Sequence, residues 1–165
     1  MESLDDQESV RRRVETWLAD YFDDVEPFAD DTALWHLSAT RKAGGGIQVV
    51  LLVDNPERLI VQSCVTLKAD YKQRYKNLSS EERREFIYDL QLRLLNMDVD
   101  YDGVDDPLDT VRISQHVFIE SLDRERFVRK LRWVNKGALS VMVMLAQRLP
   151  RGRVLEHIAG DVTIH

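Results

Sequence analysis

The chain has 165 residues, 44% of them hydrophobic and 32% charged, with a formal net charge of −6. That length suits one ordinary hydrophobic core and is short for two, and no run approaches the roughly 18 apolar residues of a membrane span. The acidic start at Glu2, Asp5 and Asp6 is unlike a secretory leader, and the single Cys64 can form neither an internal disulfide nor a thiolate zinc site, so a soluble cytoplasmic protein is expected.

In chain order, Val10, Val14, Trp17, Leu18, Tyr21 and Phe22 recur at three- and four-residue steps, which predicts an amphipathic helix over 8–24. Ala33, Trp35, Leu37 and Ala39 alternate with Leu34, His36 and Ser38, a strand that ends in the glycine turn Gly44–Gly46. Ile47 to Val53 is almost continuously apolar and predicts a central strand covered on both faces. After the turn chemistry of Asp54, Asn55 and Pro56, Leu59 to Leu67 predicts a third strand. Ser79 followed by Glu82 has the spacing of a capping box, and Phe86, Ile87, Leu90, Leu94 and Leu95 supply the apolar side of a second helix. Val99 and Tyr101, then Val111, Ile113, Val117 and Ile119, flank a turn at Asp105-Asp106-Pro107 and predict a hairpin.

Asp123 is a good N-cap for a third helix in which Phe127, Leu131, Val134, Ala138, Val141 and Leu145 repeat every three or four residues until Pro150. Its second half, Gly137 to Leu149, is apolar nearly all round and must be buried against a sheet, a second subunit or a client. Residues 1–150 are read as one domain and 151–165 as a tail with no strong periodic signal. Because these elements do not form repeated βαβ units, the fold class is α+β: a mainly antiparallel five-stranded sheet with helices gathered on one face or end.

The sharpest local motif is acidic. Asp98, Asp100, Asp102, Asp106 and Asp109 occupy ligand positions of a calcium loop, with Gly103 at its sharp turn. Against that reading, Asp105 replaces the usual aliphatic residue, Asp109 is shorter than the usual bidentate Glu, and the next segment reads as a strand. The competing reading is an edge strand whose outward aspartates protect it from pairing with other chains.

Charge is polarised along the sequence. Residues 1–123 hold 14 Lys and Arg against 26 Asp and Glu, whereas residues 124–165 hold 9 against 3. Arg124, Arg126, Arg129, Lys130, Arg132 and Lys136 crowd the first half of the third helix. They read as a solvated face or as a docking surface for an acidic partner, where complementary potential fixes register. The overall acidity and the absence of a reading motif around Phe127 and Trp133 argue against nucleic acid. No catalytic constellation stands out. Cys64 lies mid-strand without a visible base, His36 and His116 lie on strands, and His157 and His165 lie in the tail. Gly44–Gly46 lacks the lysine of a P-loop. No cofactor is expected.

The order α, βββ, α, ββ, α over roughly residues 8–149 resembles the type III secretion chaperone-like fold, shared by small bacterial secretion chaperones and by assorted uncharacterised proteins, some of them archaeal. The resemblance implies a homodimer that binds protein segments across apolar grooves, although the long basic third helix departs from the small acidic chaperones. The favoured expectation is therefore a noncatalytic homodimeric binding module that holds a protein or peptide client. Its contact residues would be Phe127, Arg129, Lys130, Arg132, Trp133, Lys136, Met142 and Met144. The alternatives are calcium binding through Asp98–Asp109 and an uncharacterised enzyme.

Overall fold

A computed structural model describes residues 4–149 and 162–164. The elements run α1 (Leu4–Ala19), β1 (Asp24–Pro27), β2 (Ala33–Thr40), β3 (Gly46–Leu52), β4 (Asn55–Leu67), α2 (Ala69–Lys76), α3 (Ser80–Leu95), β5 (Asp100–Asp102), β6 (Thr110–Phe118), a 3-10 turn at Ile119–Ser121, α4 (Arg124–Arg148) and β7 (Val162–Ile164). All strands join one antiparallel sheet in the order β1-β2-β3-β4-β6-β5, with β7 beside the end of β4. The fold is α+β, and the five expected strands are present.

Four details differ from the sequence reading. The first helix ends at Ala19 because the chain turns there into β1, whose Val25 packs on the core. α2 is an additional short helix that buries Tyr71 and Tyr75, one turn apart. β4 starts at Asn55, so Pro56 sits at the strand's second position, where a missing donor is tolerated. Ile119 leaves the ladder for the 3-10 turn. The reading of the tail, with Pro150, His157 and His165, falls outside the described residues except for β7.

Alternating burial explains the layering. Along β4, Leu59, Val61, Ser63, Val65 and Leu67 are buried, while Ile60, Gln62, Cys64 and Thr66 are half-buried on the opposite face. The inward side chains of β2, β3 and β6 join the same core with Val14 and Leu18 of α1, Leu90 and Leu94 of α3, and Phe127, Val134, Val141 and Leu145 of α4. Helices therefore cover one face, as period-two strands meeting period-3.6 helices require. β3, the expected central strand, is buried on nearly every residue.

Local chemistry sets the element ends. Ser79 Oγ accepts from the Glu82 amide at 3.2 Å, and the Glu82 carboxylate accepts from the Ser79 amide at 2.6 Å, completing the capping box. Asp123 caps α4 through the Arg126 amide at 2.8 Å. Gly44 and Gly45 take φ of +93° and +91° in the β2–β3 turn, a region costly for residues with a Cβ. Gly137 lets α4 lie close to the sheet, because a Cβ there would stand 2.8 Å from Ile113 Cγ2.

Candidate functional site

α3 carries two apolar stripes. Phe86, Leu90 and Leu94 turn inward and are buried, whereas Tyr88, Leu92 and Leu95, at i, i+4 and i+7, are exposed on the other side, Leu95 to 64%. α4 behaves alike in its second half. Val134, Ala138, Val141 and Leu145 meet the sheet, while Leu139, 55% exposed, and Val143 face away from it. The apolar run of α4 is thus only half consumed by the core.

The two helices lie side by side. Arg148 Nη1 donates to Asp89 Oδ2 at 2.7 Å and ties the end of α4 to the middle of α3. Beside this pair opens a groove of about 510 Å³, lined by Leu92, Arg93, Asn96, Met97, Met144 and Gln147 together with Asp89 and Arg148. Two thioethers and a leucine give it an adaptable apolar lining; two arginines and two amides give it a polar margin. Unbranched methionines conform to irregular surfaces, so the lining can adapt to apolar side chains of varied shape. Strand addition is the less suitable mode, since both path edges are short: β1 has four residues ending in Pro27, and β5 has three flanked by aspartates.

The residues expected to contact a partner are dispersed. Phe127 is fully buried, its ring 5.6 Å from Trp17, and this corrects its reading as a contact residue: it belongs to the core face of its own helix. Met144 is 3% exposed and reaches the groove only as part of its lining. Met142 packs half-buried against the core. Lys130 turns inward to Gln115, donating from Nζ to Oε1 at 2.8 Å, and Gln115 in turn donates to the Asp98 carbonyl. Arg129 pairs with Glu125 at 2.6 Å, Lys136 lies 5.1 Å above the Trp133 ring, and Arg132 has no partner among the described residues.

The aspartates expected to converge on a cation point to separate neighbours. Asp100 faces His116 Nε2 at 3.4 Å, Asp102 accepts from the Gly103 amide at 2.8 Å, and Asp106 accepts from Tyr75 Oη at 3.0 Å and faces Arg83 at 3.4 Å. Asp109 pairs with Lys72, which holds its carboxyl below the usual carboxylate range. Asp98 stands at φ +53° before β5. Four of the five carboxylates are drawn to different neighbours, because the segment runs from an edge strand into a loop packed on α2 and α3. Among the described residues no three His, Cys, Asp or Glu side chains are grouped to hold a metal.

The histidines and Cys64 are likewise separated. His36, Val50, Ile60 and His116 share one row across four strands, so the imidazoles start about 14 Å apart at three strand spacings. Cys64 pairs in register with Arg112, four residues along β4 from that row, about 13 Å away. His36 Nδ1 lies 3.0 Å from Asp30 Oδ2, and His116 is shifted below its usual pKa by burial first and by the Arg58 charge second. No helix among the described residues is long and apolar enough to cross a membrane.

A family model described as an uncharacterized conserved protein (DUF2299) matches residues 10–145. The crystal structure of an uncharacterized protein from Methanothermobacter thermautotrophicus aligns with 88% of this chain and 99% of its own, at 20% identity and a TM-score of 0.76, and so shares the fold. The crystal structure of the ExsC-ExsE complex aligns with 86% of this chain and 97% of its own, at 14% identity and a TM-score of 0.45. No curated protein matches.

Proposed function

The chain belongs to the family of uncharacterized conserved proteins DUF2299, and we propose that it serves as a noncatalytic protein-binding module, adaptor- or chaperone-like, that pairs with a second copy of itself. One observation carries this reading: five apolar side chains, Tyr88, Leu92, Leu95, Leu139 and Val143, are exposed on two neighbouring helices, and Leu92 also lines the open groove that both helices form. Exposed apolar clusters of this kind mark interaction surfaces in soluble proteins. The helix face takes the client, and the outer sheet face, where Phe118 is exposed beside half-buried Ile60 and His116, takes the second copy.

Two measurements test it. Titration with a hydrophobic dye reads the helix face: the wild type binds dye, and the Leu92→Ser/Val143→Ser variant loses most of the signal at an unchanged melting temperature. Failure of the wild type to bind dye contradicts the reading. Light scattering reads the pairing: a dimer is expected, and Phe118→Lys, at an exposed position, gives a monomer. A monomeric wild type removes the self-association.

A further inference from the structure

At the opposite end of α4 from the methionine groove lies a second open groove, of about 410 Å³, between the end of α1 and the first turns of α4. Its lining is Tyr21, Arg124, Glu125, Val128, Arg129 and Arg132: three guanidinium groups against one carboxylate, with buried Val128 as an apolar floor and half-buried Tyr21 as a wall. We propose that this groove receives the carboxylates of an acidic peptide segment of a protein partner. The proposal rests on the reading of the chain as a protein-binding module and adds the chemistry of what it binds.

The arginines are available. Arg124 Nη2 donates to Asp20 at 3.0 Å and Arg129 Nη2 to Glu125 at 2.6 Å, both pairs lying in solvent. Exposed pairs of this kind contribute little and exchange readily for an incoming carboxylate. Arg132 has no partner among the described residues. A planar guanidinium meets a carboxylate through two parallel donors, so each of the three can take one acidic side chain.

Spacing selects a peptide over a single small anion. Arg124 and Arg132 stand eight residues apart, about 12 Å along the helix axis. One phosphate cannot bridge that span. Alternate residues of an extended peptide place their side chains about 7 Å apart on one side, so two or three acidic residues reach the set. A long polyanion fits poorly, because beyond the groove it meets a chain whose first 123 residues hold 26 acidic against 14 basic side chains.

The test uses the full chain and fluorescence anisotropy. A labelled twelve-residue peptide of alternating Glu and Ser is compared with one of alternating Gln and Ser and with a single-stranded oligonucleotide. The Glu peptide is expected to bind, to weaken as salt is raised, and to weaken roughly tenfold in Arg132→Glu. Arg129→Gln, also at an exposed position, gives a smaller loss. Leu92→Ser, on the other groove, leaves the affinity unchanged, so this site can fail while the apolar helix face stands. No binding of the Glu peptide, equal binding of the Gln peptide, indifference to Arg132→Glu, or tighter binding of the oligonucleotide overturns the proposal.

Discussion

Gly137→Ala sets two opposed effects against each other at the contact between α4 and the sheet. In an exposed helix interior the change stabilises by about 1 kcal/mol, because alanine loses less backbone freedom than glycine. Here the added Cβ meets Ile113 Cγ2 at 2.8 Å and Cδ1 at 3.4 Å, and Val99 Cγ2 lies at 3.7 Å. Ile113 is fully buried, and its Cγ2 sits on the branched carbon, so it cannot swing aside without changing χ1. Overpacking of this kind costs about 1–3 kcal/mol. The net expectation is a loss of about 1 kcal/mol, read as a fall of about 2–4 °C in melting temperature for a chain of this size.

A double-mutant cycle isolates the cause. Ile113→Val keeps the offending methyl and does not rescue Gly137→Ala. Ile113→Ala removes it at a cost of about 2–5 kcal/mol alone, and combined with Gly137→Ala the losses fall short of their sum by the overpacking cost, about 2 kcal/mol. Urea denaturation followed by circular dichroism gives the four free energies. A Gly137→Ala variant more stable than wild type by the full helix-propensity gain refutes the close approach of α4 to β6.

Ser79→Ala removes one half of the α3 capping box and lowers stability by about 1 kcal/mol in urea denaturation, with no change in fold. Gln115→Leu strands the Asp98 carbonyl and the Lys130 ammonium and destabilises by about 1–3 kcal/mol by the same assay, whereas a neutral result refutes the inward role of Lys130. His116 is held below its usual pKa, so the unfolded chain binds its proton more readily; stability falls as pH drops below about 6.5 and levels off once the folded imidazole also protonates. His116→Asn flattens thermal-melt stability across that window. Asp30, through Thr32 first, and Asp109, through Lys72 first, are held low; their stabilisation is complete above the ordinary carboxylate pKa and is lost as pH falls through their lowered values. Calcium leaves the melting temperature unchanged, and a calcium-dependent rise reinstates the aspartate loop as a site.

Where one side of an element is consistently apolar, the element was legible from sequence. Asp123 and the spacing of Phe127, Leu131, Val134 and Val141 locate α4 and its buried face, and the same spacing already places Phe127 in the core rather than at a contact. β1 escaped because Val25 is its one core-packed residue and the strand is four residues long. α2 escaped because its pattern is two tyrosines in eight otherwise mostly polar residues.

The site was harder to read. Tyr88, Leu92 and Leu95 carry a legible i, i+4, i+7 signal, but the pattern alone groups Leu95 with the inward residues, because periodicity does not say which of two apolar stripes on a helix meets the sheet. Side-chain partners across the fold are invisible in sequence as well. Nothing near Lys130 announces that Gln115, fifteen residues earlier, will draw it inward, or that Lys72 and Arg83 will take the acidic side chains the calcium motif requires.

Occupation of the α3–α4 face by a protein segment can be read by site-specific photo-crosslinking in the cells that make the protein. A photoreactive residue is placed in turn at Leu92, at Val143 and, as a control, at exposed Lys42 on the β2–β3 turn. The same discrete adduct of a second protein is expected from Leu92 and Val143, and none from Lys42. No adduct at either helix position, or the same adduct at Lys42, contradicts it.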